Sequence, residues 1–158
     1  VRPGIALYGI NPTPGRANPM QPVVTLQARI LDVRHVRRGE TVGYGATWTA
    51  RKNARIAVAA VGYADGIPRA LSGSDSAPGG EAVVAGKRCP IAGRISMDLT
   101  AVDISEVPDG AGRRGELVTV IGDGISIDRV ADLAGTIGYE ILTRLGRRFH
   151  RVYVNAAE

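Results

Sequence analysis

The sequence is poor in the residues that announce most kinds of chemistry. Cys89 is its only cysteine, so no disulfide can form within the chain and a reducing compartment is the simpler expectation. It lies in a β-like run, where a small core thiol is a commoner role than a nucleophile. The two histidines, His35 and His150, lie far from each other and from Cys89. That leaves no zinc-ligand spacing, and no metal is expected. No stretch approaches the ~18 apolar residues that cross a membrane as a helix. The opening VRPGIALYG has a proline and two glycines where a secretory signal would carry its apolar core. No membrane association and a cytoplasmic location are expected.

Lysine is scarce too. Only Lys52 and Lys87 occur, so the net charge of +5 comes almost wholly from arginine. Arginines cluster at 34, 37 and 38 and again at 144, 147, 148 and 151. Such patches suit nucleic acid, but one Phe and one Trp make a poor base-stacking platform. No nucleic-acid partner is expected, and a solvated face is the plainer reading. A stand-alone basic β-domain serving as a binding module is the rival to an enzyme.

What is present fits one domain. The chain has 158 residues, of which 44% are hydrophobic, and at this length folding buries roughly 68–70% of the chain's surface. Residues 11–22 hold four prolines and read as a connector after a short N-terminal piece, residues 1–10. From there, residues 23–158 form a mainly β domain. VVTLQARILDVRHV alternates apolar and polar from Val23 to Val36, which predicts a long strand. TVGYGATW returns extended, with two glycines flanking Tyr44. RIAVAAVG is a nearly continuous apolar strand that ends at the turn signal YADG. EAVVAGKRCPI reads as a hairpin turning at Gly86; RISMDLTAVDI, ELVTVIG and a closing FHRVYV are further strands. So many short strands with Gly and Pro turns predict an antiparallel barrel or sandwich.

Two helices come late. Ser126 caps the first, Asp128 suits its first turn and Gly135 stops it. The second starts at Thr136 and puts Ile137, Ile141 and Leu145 on one face. Tyr139 lies about 200° from Ile137 and points away from that stripe.

Taken singly, the candidate sites are ordinary. VRPGIALYG is a Pro-started helical turn whose free amides suit an anion. Tyr44 is either an exposed phenol or a turn aromatic, and SMD at 96–98 is either a substrate contact or a strand with one outward carboxylate. In order, however, VRPGIALYG, VGYGATW, VGYADGIPR, CPIAGRISMD and GTIGYEILTRL resemble the successive signatures of bacterial alanine racemases, from Arg2 to about Tyr153.

The resemblance implies a pyridoxal phosphate enzyme built from a TIM barrel followed by a C-terminal β-domain, with this chain as the β-domain and residues 1–10 as a remnant of the barrel's end. It implies that Arg2 hydrogen-bonds the cofactor's pyridine nitrogen, which an arginine cannot protonate. Gly4 and Ile5 match the phosphate-binding amides, and Tyr139 matches a hydroxyl on the same phosphate. Tyr44 resembles the catalytic base, a role for which a phenol of pKa about 10 needs nearby positive charge or hydrogen bonds. Met97 resembles the residue whose amide binds the substrate carboxylate. Tyr63, Arg69, Arg94 and Asp98 fit the narrow access corridor, where Tyr63 and Tyr139 restrict the substrate to small side chains.

The implied reaction is interconversion of L- and D-alanine for peptidoglycan precursors, at the interface of a head-to-tail homodimer. A racemase for another small amino acid is the near alternative. The barrel alone takes about 250 residues, more than this chain contains. Neither Lys52 nor Lys87 resembles the family's cofactor lysine, so this chain alone is expected to be inactive.

Overall fold

The computed structural model of the chain describes residues 1–13 and 15–154. Its framework is a long strand, β1 (Leu26–Val36), whose first half buries Leu26, Ala28 and Ile30 and exposes the residues between them. That is the period-2 pattern of a half-buried strand. The first half pairs with β8 (Leu117–Ile121) and the second with β4 (Ala54–Ala59), both antiparallel. The register slips between Ile30 and Asp32. A bulge of this kind raises local twist and lets one strand serve two parts of a curling sheet.

The other strands are β5 (Glu81–Val84), β6 (Lys87–Pro90) and β7 (Thr100–Asp103), giving the order β6-β5-β8-β1-β4-β7. Beyond β6 the chain reaches β7 across the opening: Ile91 bridges Val102, and the Ala92 amide donates to the Ala101 carbonyl at 2.9 Å. The six strands therefore nearly close into a barrel. Ile30, Ala57, Ala59, Val102 and Val118 fill its interior. A cavity of about 10 Å³ among them, lined by residues such as Val61, Ile67 and Val120, has room for no more than a water molecule. No substrate fits in it. Cys89 is part of this core, and burial pushes its thiol pKa up.

The β5–β6 hairpin turns at Ala85 and Gly86, both at positive φ (49° and 76°), as expected of a two-residue type I′ turn. A separate pair, β2 (Thr41–Val42) and β3 (Trp48–Thr49), flanks Tyr44. The helices are α1 (Ile127–Ala134) and α2 (Gly138–Arg144). Ser126 Oγ accepts from the Arg129 amide at 3.1 Å and Gly135 closes α1 at φ 68°. The N-terminal segment lies on this helical side. Ile5 and Ile10 are buried, and a Cβ on Gly138 would come within 2.9 Å of the Ile10 side chain.

Four expectations are corrected. TVGYGATW is not one extended run, because Gly43 and Gly45 sit at φ 82° and 72° and turn Tyr44–Ala46 into a 3₁₀ turn. RISMDLTAVDI is a strand only from Thr100; before it, the Ser96 amide and hydroxyl both donate to the Leu99 carbonyl, each at 3.0 Å, and make a tight turn. FHRVYV forms no strand, since the barrel's last edge is already occupied by the Ile91–Val102 bridge. Finally, α2 starts at Gly138, and Ile137 is 63% exposed where Ile141 is 1% exposed. Gly138 rather than Ile137 faces the core, because only glycine lets α2 approach Ile10 so closely.

Candidate active site

Three segments carry the candidate side chains. The first is the Tyr44 turn. Tyr44 is 72% exposed. A Cβ on Gly43 would fall 2.9 Å from the Arg94 amide nitrogen, and one on Gly45 would fall 3.0 Å from Arg94 Nη1. Glycine is thus required on both sides by φ and by space. The turn lies flat on Gly93–Arg94, which sets a permanent guanidinium charge beside the base of the tyrosine.

The second joins the turn Tyr63–Asp65 to the loop around Met97. The Tyr63 amide donates to the Ser96 carbonyl and the Ala64 amide to the Met97 carbonyl, both at 3.0 Å. A Cβ on Gly62 would strike both carbonyl oxygens at 2.4 Å, so this approach also demands glycine. Asp65 is buried and its Oδ2 accepts from the Gly62 amide at 2.8 Å. Arg148 crosses the junction, with Nε 3.1 Å from Asp65 Oδ1 and Nη2 2.6 Å from Asp98 Oδ1. The Met97 amide meets no protein acceptor among the described residues.

The third is an anion cradle. Pro3 leads into the turn Gly4–Tyr8, and neither the Gly4 nor the Ile5 amide meets a protein acceptor among the described residues. Gly4 is at φ 51°, and a Cβ there would lie 3.2 Å from the Tyr139 hydroxyl oxygen. Two amides and a phenol therefore converge on one small space, a donor set that fits a phosphate group. The segments adjoin: a Cβ on Gly66 would fall 2.3 Å from the Arg144 carbonyl, so the Tyr63 turn abuts the end of the helix that carries Tyr139.

Arg2 and Arg69 are exposed and their guanidinium groups make no hydrogen bond or ion pair among the described residues. Asp65 and Arg148 are the site residues that sequence reasoning overlooked. Asp65 read as one letter of a turn signal and Arg148 as one of a basic cluster. Their mutual signal is tertiary, a separation of more than eighty positions. The clusters themselves are partly neutralised, since Arg34 pairs with Asp32, Arg144 with Glu140 and Arg148 with two aspartates. Among the described residues no group of three or more His, Cys, Asp or Glu is placed to hold a metal ion, and no helix is long and apolar enough to cross a membrane.

The fold and site thus define an antiparallel barrel domain that carries an anion cradle and an exposed tyrosine outside its filled interior. The model of the alanine racemase C-terminal domain matches residues 23–153, and the chain belongs to the alanine racemase family. The alanine racemase of Methylobacterium sp. strain 4-46 is 57% identical over 155 residues, 98% of this chain and 41% of that protein. Among solved structures, the biosynthetic alanine racemase of Pseudomonas aeruginosa superposes with a TM-score of 0.86 at 42% identity, over 96% of this chain and 41% of that one. The Bartonella henselae alanine racemase, with covalently bound pyridoxal phosphate, gives 0.87 at 38% identity, over 96% and 40%. The chain spans about two fifths of the length of the relatives it matches.

Proposed function

We propose that this chain is the C-terminal working part of an alanine racemase that uses pyridoxal phosphate to interconvert L- and D-alanine. In this reading residues 1–10 complete the end of a preceding barrel, 11–22 connect, and the β-domain follows. The observation that carries it is the convergence of the Tyr139 hydroxyl on Gly4, beside two amides without protein acceptors.

Each residue then has a task. The Gly4 and Ile5 amides and the Tyr139 hydroxyl hold the cofactor's phosphate, and Arg2 donates to its pyridine nitrogen. When bound, the cofactor supplies an electron sink for the charge left at Cα on proton loss. Tyr44 Oη takes the α-proton from one face of the amino acid, with the Arg94 charge beside its turn. A lysine outside this chain serves the opposite face. The Met97 amide binds the substrate carboxylate, and Tyr63, Arg69, Arg94 and Asp98 line the access corridor. The tyrosines at the corridor's end admit only small side chains. The enzyme works as a head-to-tail homodimer, Tyr44 serving the partner's cofactor, in the cytoplasm, making D-alanine for the cell wall.

The test joins this chain to the barrel half of the Methylobacterium relative and follows racemisation of L-alanine by circular dichroism. Tyr44→Phe is expected to lower kcat by at least about 100-fold, the lower end for loss of a general base, without weakening cofactor binding. Normal turnover in that variant would overturn the assignment of the base.

A further inference from the structure

We propose that Arg148 is a positioning residue for substrate binding: its guanidinium locks the Tyr63 turn to the Met97 loop and so aims the Met97 amide at the substrate carboxylate. The proposal rests on the carboxylate role given to Met97 above.

The argument begins at one peptide plane. The Ser96 carbonyl and the Met97 N–H belong to the same planar trans peptide and point in opposite directions. The Tyr63 amide holds the Ser96 carbonyl at 3.0 Å, so the Met97 N–H is turned away from the Tyr63 turn and meets no acceptor among the described residues. The next carbonyl, that of Met97, is held by the Ala64 amide at 3.0 Å. Both contacts come from a turn of three residues, and the direction of the Met97 N–H is therefore as well fixed as that turn.

The turn is fixed by Asp65. One oxygen accepts from the Gly62 amide at 2.8 Å, and the other lies 3.1 Å from Arg148 Nε. Nη2 of the same guanidinium donates to Oδ1 of Asp98, the residue that follows Met97, at 2.6 Å. Arg148 thus ties the Tyr63 turn to the segment that carries the Met97 peptide. Two neighbouring donors fixed in one plane span both carboxylates, which the single ammonium of a lysine does not reproduce. Asp65 is 7% exposed and accepts one hydrogen bond, from the Gly62 amide, so removing Arg148 takes the countercharge away from a buried carboxylate. The turn then has reason to shift or admit water, and the Met97 amide moves with it.

The substrate carboxylate is bonded to the reacting Cα but takes no part in the proton transfer and keeps its charge through it. A donor to it therefore acts alike in ground and transition states. Misaiming its donor removes uniform binding, which raises KM and leaves kcat nearly unchanged. Tyr44 stands on a different turn and its chemistry is spared.

The experiment uses the holoenzyme formed by this chain with its barrel half, and propionate as a carboxylate probe that cannot be racemised. Arg148→Ala is expected to raise the KM for alanine and the calorimetric Kd of propionate by the same factor, about 5- to 20-fold, the size of a lost or misaligned charge-assisted contact. The expected kcat stays within threefold of the parent. Arg148→Lys, which keeps the stem and one charge contact, recovers part of the loss. It also carries the reading if the alanine variant folds poorly. A purely structural bridge would lower Tm and leave KM and propionate affinity unmoved in both variants, and that result overturns the proposal. So would a fall in kcat at constant KM. Failure of the wider reading shows separately, as undiminished racemisation in Tyr44→Phe, because propionate affinity needs no turnover.

Discussion

Gly4 does two jobs that no other residue type can combine. At φ 51° it holds a left-handed conformation beside two amides without protein acceptors among the described residues, and its missing side chain leaves space next to the Tyr139 hydroxyl. An alanine in left-handed geometry costs roughly 1–2 kcal/mol, and its methyl would sit 3.2 Å from the hydroxyl oxygen, in the volume a phosphate needs. In the enzyme completed by its barrel, Gly4→Ala is expected to raise the Kd for pyridoxal phosphate at least about fivefold, the factor that ~1 kcal/mol implies. The fold should survive, because the residue is exposed. Titration of the cofactor-free protein reads this directly, and an unchanged Kd would remove Gly4 from the cradle.

Among elements, those whose pattern is local were legible in the sequence and those whose shape is imposed from outside were not. The alternation that buries Leu26, Ala28 and Ile30 marked β1, although the strand starts three residues after Val23. Ser126 and Gly135 marked the ends of α1 because a cap is a contact between near neighbours. The second helix was misjudged by one face, since Ile137 had the right spacing and Gly138 had the close approach to Ile10. FHRVYV had strand composition but no edge to join. Of the candidate site, the five motifs proposed residues by resemblance, while the Asp65–Arg148–Asp98 bridge required the fold.

One bridge between elements yields a pH test. Arg129 on α1 donates to both oxygens of Glu81 on β5, at 3.2 and 3.0 Å, and this holds the Glu81 carboxyl below its ordinary range. A carboxyl lowered by folding contributes stability above its unfolded pKa, and that contribution is lost as pH falls through the folded value. Glu81→Gln is therefore expected to lower Tm by a few degrees at pH 7. The effect is small because the pair is partly exposed. The gap to the parent should close as pH drops below about 4.3, the ordinary glutamate value. A gap that persisted unchanged to pH 3 would show that the Glu81 charge is not its source.

At the scale of the whole molecule, a barrel interior filled by side chains such as Ile30, Ala57 and Val118 leaves this domain to act through its surface. Neither lysine lies in the segments of the candidate site. Lys87 opens β6 opposite Val84, on the hairpin rather than among the site loops. The Lys52 ammonium lies 2.6 Å from Glu106, which raises its pKa, and the pair is exposed, away from the candidate site. Neither is suited to attach a carbonyl cofactor. The completed enzyme in which both are replaced, Lys52→Ala with Lys87→Ala, is thus expected to racemise alanine within about twofold of the parent. Its stability should barely change, since exposed ion pairs contribute little. Borohydride reduction followed by peptide mass mapping locates the cofactor in the same preparation. Label on the barrel half in parent and double variant alike is the expected result, and label on Lys52 or Lys87 with loss of turnover would place the amine in this domain after all.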